Sequence, residues 1–169
     1  MTAEQQGASA FLAALDKGEK IILGGAALGL LLCFLPWHSV SIEGAGEMKE
    51  FFEDQGGGSK SGIGMWQGVV VFLCGLAGAG SLWAEKRGIL RTDPKTARLI
   101  PLAACGGGAL FSLVYVAGAD STKHPLIPMS AGPTIWPWVA LIAFAAAAFF
   151  AFKRWSAVAA PPVPPPPPA

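Results

Sequence analysis

Asparagine is absent from the chain, so it carries no N-glycosylation acceptor. Charge is also scarce. Asp, Glu, Lys and Arg make up 14% of the residues, against roughly 25% in a soluble domain. The net charge of +1 lacks the basic excess that a nucleic-acid partner would favour. The three cysteines form no C-x-x-C pair, which argues against a four-helix thiol oxidoreductase. There is no G-x-S-x-G, no H-E-x-x-H and no intramembrane aspartate pair. The chain is therefore read as a non-enzyme without a cofactor. His38 and His124, with Glu43 or Asp120, are the weak candidates for a metal site, and no metal is expected. The stretch GGGSKSG lacks the Gly-Lys-Ser/Thr order and the preceding strand of a phosphate loop.

What the chain does have is four uncharged apolar runs. Ile21–Trp37, Ile63–Ala84, Leu99–Ala119 and Ile135–Phe152 contain 17, 22, 21 and 18 residues. A hydrocarbon core about 30 Å thick needs about 20 helical residues, with 17 to 25 tolerated. The runs predict an all-α integral membrane four-helix bundle. Its spans are 21–37, 63–84, 99–119 and 135–152. The N-terminal segment 1–20 is either a weak amphipathic surface helix around Phe11, Leu12 and Leu15 or a frayed tail. The first span is read as uncleaved, because the possible processing site at 44–46 lies well beyond Pro36-Trp37.

Nine of the twelve basic residues fall in segment 1–20, in loop 85–98 and in the C-terminal flank 153–169. Loops 38–62 and 120–134 hold the other three, together with six carboxylates. The positive-inside rule then makes both termini cytoplasmic and assigns the chain to a plasma (inner) membrane. Alanine, glycine and proline richness suggests a bacterial source. Tryptophan supports the same layout, since its ring prefers the headgroup level. Trp37, Trp66, Trp136 and Trp138 fall at predicted outer ends, Trp83 and Trp155 at inner ends. This plan of four spans, cytoplasmic ends and a longer first outer loop resembles small tetraspan proteins. Claudin-like tetraspans carry a cysteine pair in that loop, and here the loop has none.

Apolar side chains gain little by meeting each other in lipid, so helices associate where small residues let backbones approach. The first span offers Gly25, Gly29 and Cys33 on one face, and the second Gly64, Gly68, Gly75 and Gly78. The fourth offers Ala140, Ala143, Ala147 and Ala151. In the third span, Gly106, Gly107 and Gly108 form a waist that is thin all round. Either neighbouring helices fill it, or the helix unwinds there to bind an ion or substrate. No Asp, Glu, Lys, Arg or His lies within any of the runs, which favours filling.

The expected function is that of a structural or accessory membrane protein, packing with itself or with partner subunits through these faces. A small transporter or channel using the third-span glycines is the alternative. A third possibility is a scaffold whose disordered tail recruits a proline-recognising partner. Pro161, Pro162, Pro164, Pro165, Pro166, Pro167 and Pro168 would form that ligand, which takes the extended polyproline form.

Overall fold

The computed structural model describes residues 9–42, 59–90, 92–119, 122–123 and 129–159. His124, the acidic stretch of the first loop and the proline tail lie outside them. The described chain is mostly helical. Beyond a short helical segment at 9–13, its order is α1 (Lys17–Leu32), β1 (Pro36–Ile42), β2 (Lys60–Ser61), α2 (Trp66–Lys86), α3 (Pro94–Gly118), β3 (Thr122–Lys123), β4 (Met129–Pro133) and α4 (Trp136–Ala159). A single 3₁₀ turn, Gly62–Gly64, leads into α2. Three helices are long and apolar enough to cross a membrane: α2, α3 and Trp136–Val158 of α4. The fourth, α1, has 16 residues, about 24 Å of helix at 1.5 Å per residue.

Each helix starts and stops for a local reason. Asp16 caps α1 by accepting from the Glu19 N–H at 2.7 Å, and Glu19 accepts from the Asp16 N–H at 3.1 Å, a reciprocal capping box. Pro36 then prevents α1 from running on to Trp37 as the hydropathy suggests. Past the end of α2, Gly88 adopts φ 67°, a conformation that costs glycine nothing. Helix α3 begins at Pro94, capped by Asp93, five residues earlier than the apolar run. Pro101, expected near its start, lies inside it. Half of the loop placed at 85–98 is thus helical, since 85–86 close α2 and 94–98 open α3.

The expected loops 38–62 and 120–134 contribute a four-stranded antiparallel sheet, ordered β2-β1-β4-β3. Its centre pairs β1 with β4 in a register running from His38 opposite Pro133 to Ile42 opposite Met129. The sheet covers one end of the helices, and Trp37 joins the two parts. This tryptophan was expected at a lipid interface, yet it is fully buried. Its indole N–H donates to the Leu32 carbonyl at 2.9 Å. Its own carbonyl accepts from the Thr134 N–H at 2.9 Å and from the Tyr115 hydroxyl at 3.1 Å. The end of α1, the start of α4 and the last turns of α3 therefore meet on one residue. Gly62, just before α2, lies so close that a Cβ there would come within 2.8 Å of the indole.

Around the bundle, α1 packs on α2 and α4, and α3 packs on the same two helices from the far side. Phe144 of α4, with no exposed surface, is wedged between α1 and α3. Side chains at Gly29 and Gly108 would run into its ring, that of Gly108 at 2.6 Å. The other close approaches follow the predicted stripes. A Cβ at Gly25 would meet the Ala143 carbonyl at 2.7 Å and the Ala147 Cβ at 2.9 Å. One at Gly75 would meet Ala26 and Leu30 at 3.0 Å. Gly78 faces the Cys105 sulfur, and Gly107 faces that of Cys74. Cys74 and Cys105 thus share the α2–α3 interface as free thiols. Gly68 abuts the Gly62 backbone, whereas Ala140, Ala147 and Ala151 are completely buried.

Two predicted packing glycines play no such part. Gly64 belongs to the 3₁₀ turn, and at Gly106 a side chain would meet nothing within 4 Å. Helix α3 is continuous through Gly106, Gly107 and Gly108, and the waist is filled on the Gly108 side by the Phe144 ring. Gly108→Leu is accordingly expected to abolish the cooperative melting transition of the protein in detergent. Gly106→Leu, facing open space, is expected to leave the melting temperature within a few degrees of wild type. Equal tolerance of the two substitutions would contradict this packing.

Candidate functional site: a charged cleft at the end opposite the sheet

The apolar runs contain no Asp, Glu, Lys, Arg or His, but their flanks do, and the fold gathers the flanks of one side at one end. Glu19 sits in the first turn of α1 with 3% of its side chain exposed. One of its oxygens accepts from Arg154 of α4 at 2.7 Å, and the other pairs with Lys86 of α2 at 2.8 Å. Arg154 also grips Glu85 of α2 with both terminal nitrogens, at 2.9 and 2.8 Å. Such a fork fits the planar guanidinium to the planar carboxylate, which a lysine cannot do. Arg98 of α3 completes the set by donating to the Arg154 carbonyl at 3.2 Å. Every long helix contributes one or more residues.

Helix geometry explains the convergence. Glu19 is fixed by its capping box, so its carboxylate projects from a rigid first turn. Glu85 and Lys86 occupy the last turn of α2, and Arg154 lies in the part of α4 that extends beyond the fourth apolar run. Because Glu19 is enclosed, its charge is tolerated only while both partners are present. Removing one member of a buried pair typically costs about 3 to 5 kcal/mol, since the other is left uncompensated.

Beside these ion pairs lies an open cleft of about 580 Å³. Asp16, Glu19 and Glu85 line it with Lys86, Arg98, Lys153 and Arg154, and Phe150 provides an apolar wall. Lys153 places its ammonium 5.1 Å from the centre of the Phe149 ring. The arrangement suits recognition of a small charged group. It contains no nucleophile–base pair, and among the described residues no three His, Cys, Asp or Glu are grouped to hold a metal. His38 is in β1, and its proposed partner His124 lies outside the described residues.

The interfacial tryptophans, apart from Trp37, fall at the two ends of the helices. Trp66 and Trp138 are largely exposed near the sheet, and Trp83 is exposed near the cleft, with Arg87 stacked 5.5 Å from its ring centre. Trp136 and Trp155 are half-buried at the sheet end and the cleft end respectively. No family model, curated protein or solved structure matches the chain.

Sequence reasoning missed this cluster because it counted basic flanks only as topology signals. Asp16-x-x-Glu19 is a capping-box pattern, and Glu19 and Glu85 are acids within two residues of apolar runs on the otherwise basic side. Both features were legible. Which cation each acid meets depends on tertiary placement.

Glu19→Gln is expected to destabilise the protein by about 3 kcal/mol, read as a lowered melting temperature in detergent. The double variant Glu19→Gln with Arg154→Gln should lose clearly less than the sum of the single losses. Strict additivity would show that the contact contributes nothing.

Proposed function

We propose that the chain is an integral membrane protein of structural or accessory type. In this reading four helices cross an inner membrane, with both termini and the charged cleft on the cytoplasmic side. Three long apolar helices and the exposed tryptophans support it. In α2 and in α4 the end tryptophans Trp66 and Trp83, and Trp138 and Trp155, are 17 residues apart. At 1.5 Å per residue the separation is about 26 Å, close to the thickness of a hydrocarbon core. The shorter α1 still connects the two levels, because it is held by Glu19 at one end and by Trp37 at the other.

The observation that carries the accessory role is how the middle of the bundle is filled. Between Trp37 and Glu19 the helices meet through glycine, alanine and the Phe144 ring, and among the described residues no Asp, Glu, Lys, Arg or His side chain is buried there. The other buried polar side chains are serines. Ser81 donates to the Gly78 carbonyl at 2.9 Å, and the Ser112 hydroxyl has no partner among the described residues. A transport path needs a relay of polar or charged groups, and a single serine does not form one. The unbroken α3 also lacks the free carbonyls that the channel alternative requires.

The small-residue stripes expected to bind partner subunits are largely taken up by the chain's own helices. Association with a second copy or a partner subunit therefore falls to outward-facing small residues. At Gly24, Gly80 and Gly106 a side chain would meet nothing within 4 Å. Close helix contact at such positions is how membrane helices associate. Light scattering of the purified protein in mild detergent is expected to give a mass above that of one 17.4 kDa chain. Gly80→Leu or Gly106→Leu should reduce it to the monomer without lowering the melting temperature. A wild-type protein that is strictly monomeric, alone and with co-purifying membrane proteins, would contradict the proposal.

A further inference from the structure

We infer that the charged cleft binds a phosphate-bearing anion of headgroup size, with Arg98 and Lys153 taking the phosphate oxygens. The charges around the cleft are unevenly satisfied. Glu19 and Glu85 are engaged by Arg154 and Lys86. Among the described residues no carboxylate lies within ion-pair distance of Arg98 or Lys153. Arg98 is anchored through one terminal nitrogen on the Arg154 carbonyl, so its guanidinium is positioned while its other N–H groups remain available. Lys153 rests on the Phe149 ring, which leaves N–H donors on the side away from the ring for a ligand. Two positioned cations without counter-ions, at the edge of one cleft, are the requirement for holding a phosphate.

The opposite wall adds selectivity. Asp16 uses one carboxylate oxygen to cap Glu19, and the other has no partner among the described residues. It would accept from a hydroxyl or ammonium next to the phosphate. Phe150 offers an apolar surface beside it, and Gly18 lines the same wall. The cleft volume falls within the roughly 300–1,000 Å³ of small-molecule sites. A phosphodiester headgroup ending in glycerol or ethanolamine matches both walls, whereas a choline headgroup has no donor for Asp16. Inorganic phosphate shares the anionic half of this chemistry. The headgroup source rests on the membrane reading above, because it requires the cleft to lie at the headgroup level marked by Trp83 and Trp155.

The test is native mass spectrometry of the full chain released from nanodiscs of mixed phosphatidylglycerol and phosphatidylcholine. One phosphatidylglycerol per chain should be retained about tenfold over phosphatidylcholine, the size of one charge-assisted contact. Lys153→Gln, and the pair Arg98→Gln with Lys153→Gln, should lower the phosphatidylglycerol retained per chain about tenfold or more, because the phosphate loses its donors. Lys20→Gln, which removes an exposed charge outside the cleft, should leave that amount unchanged. In a second arm, the melting temperature of lipid-stripped protein is compared in inorganic phosphate and in chloride at equal ionic strength. A rise in phosphate without lipid retention supports the phosphate chemistry and assigns the anion as free phosphate. Equal retention of the two lipids together with no phosphate effect overturns the proposal. So does an equal loss in Lys20→Gln, which would reduce the effect to general surface charge. The Lys153 side chain is in no ion pair among the described residues, so its single variant keeps the test valid if the double variant is unstable. A protein that stays in solution without detergent overturns the membrane reading instead, and the phosphate arm still decides the cleft.

Discussion

A phenylalanine ring seated in two glycine gaps is the contact on which the rest of this structure depends. Phe144 reaches from α4 between α1 and α3, which otherwise barely touch. In lipid there is little hydrophobic gain from bringing apolar helices together, so close packing must supply the association. Glycines at 29 and 108 let the ring sit against backbone, and Gly25, Gly75 and Gly78 bring the neighbouring helices equally close. Any side chain at these points would push the helices apart. The ion pairs at one end and the tryptophan anchor at the other would then lose their registry.

Those two end devices work by different chemistry. At the sheet end Trp37 is dry and uses hydrogen bonds to main-chain and hydroxyl groups, so its strength varies little with salt. At the cleft end Glu19, Glu85, Lys86 and Arg154 use charge, and screening reaches them in proportion to their exposure. Glu19 is almost closed off from water, whereas the Lys86 side chain is 30% exposed. The Glu19–Arg154 contact is therefore the stronger part of the clamp, and the Lys86 contact the more easily exchanged.

Much of the helical part was legible in sequence, and particular residues show why the rest was not. The glycine and alanine stripes follow from 3.6-residue periodicity, so Gly25, Gly29, Gly75, Gly78 and Ala147 were identifiable without a structure. Phe144 was not, because a lone aromatic in an alanine-rich helix carries no signal of which gap it fills. The sheet was hidden for a different reason. Val40 and Ile42 alternate with Ser39 and Ser41, a faint strand pattern, but its partner MSAGP has no strand character and pairs only because α3 and α4 bring it there. Trp37 was misplaced because an aromatic after a proline at the end of an apolar run has two homes, the lipid interface and the underside of a cap. Only the sheet decides between them.

The central claim is that the middle of the helices is dry and closely filled. It can be tested directly on the native cysteines, because Cys33 and Cys105 have no exposed surface. The measurement is the rate at which a water-soluble, membrane-impermeant maleimide modifies these two thiols in the folded protein, read by peptide mass spectrometry. The account predicts no modification of either until the protein is denatured, after which both react. Rapid modification of Cys105 in the folded state would place water deep between the helices and contradict it.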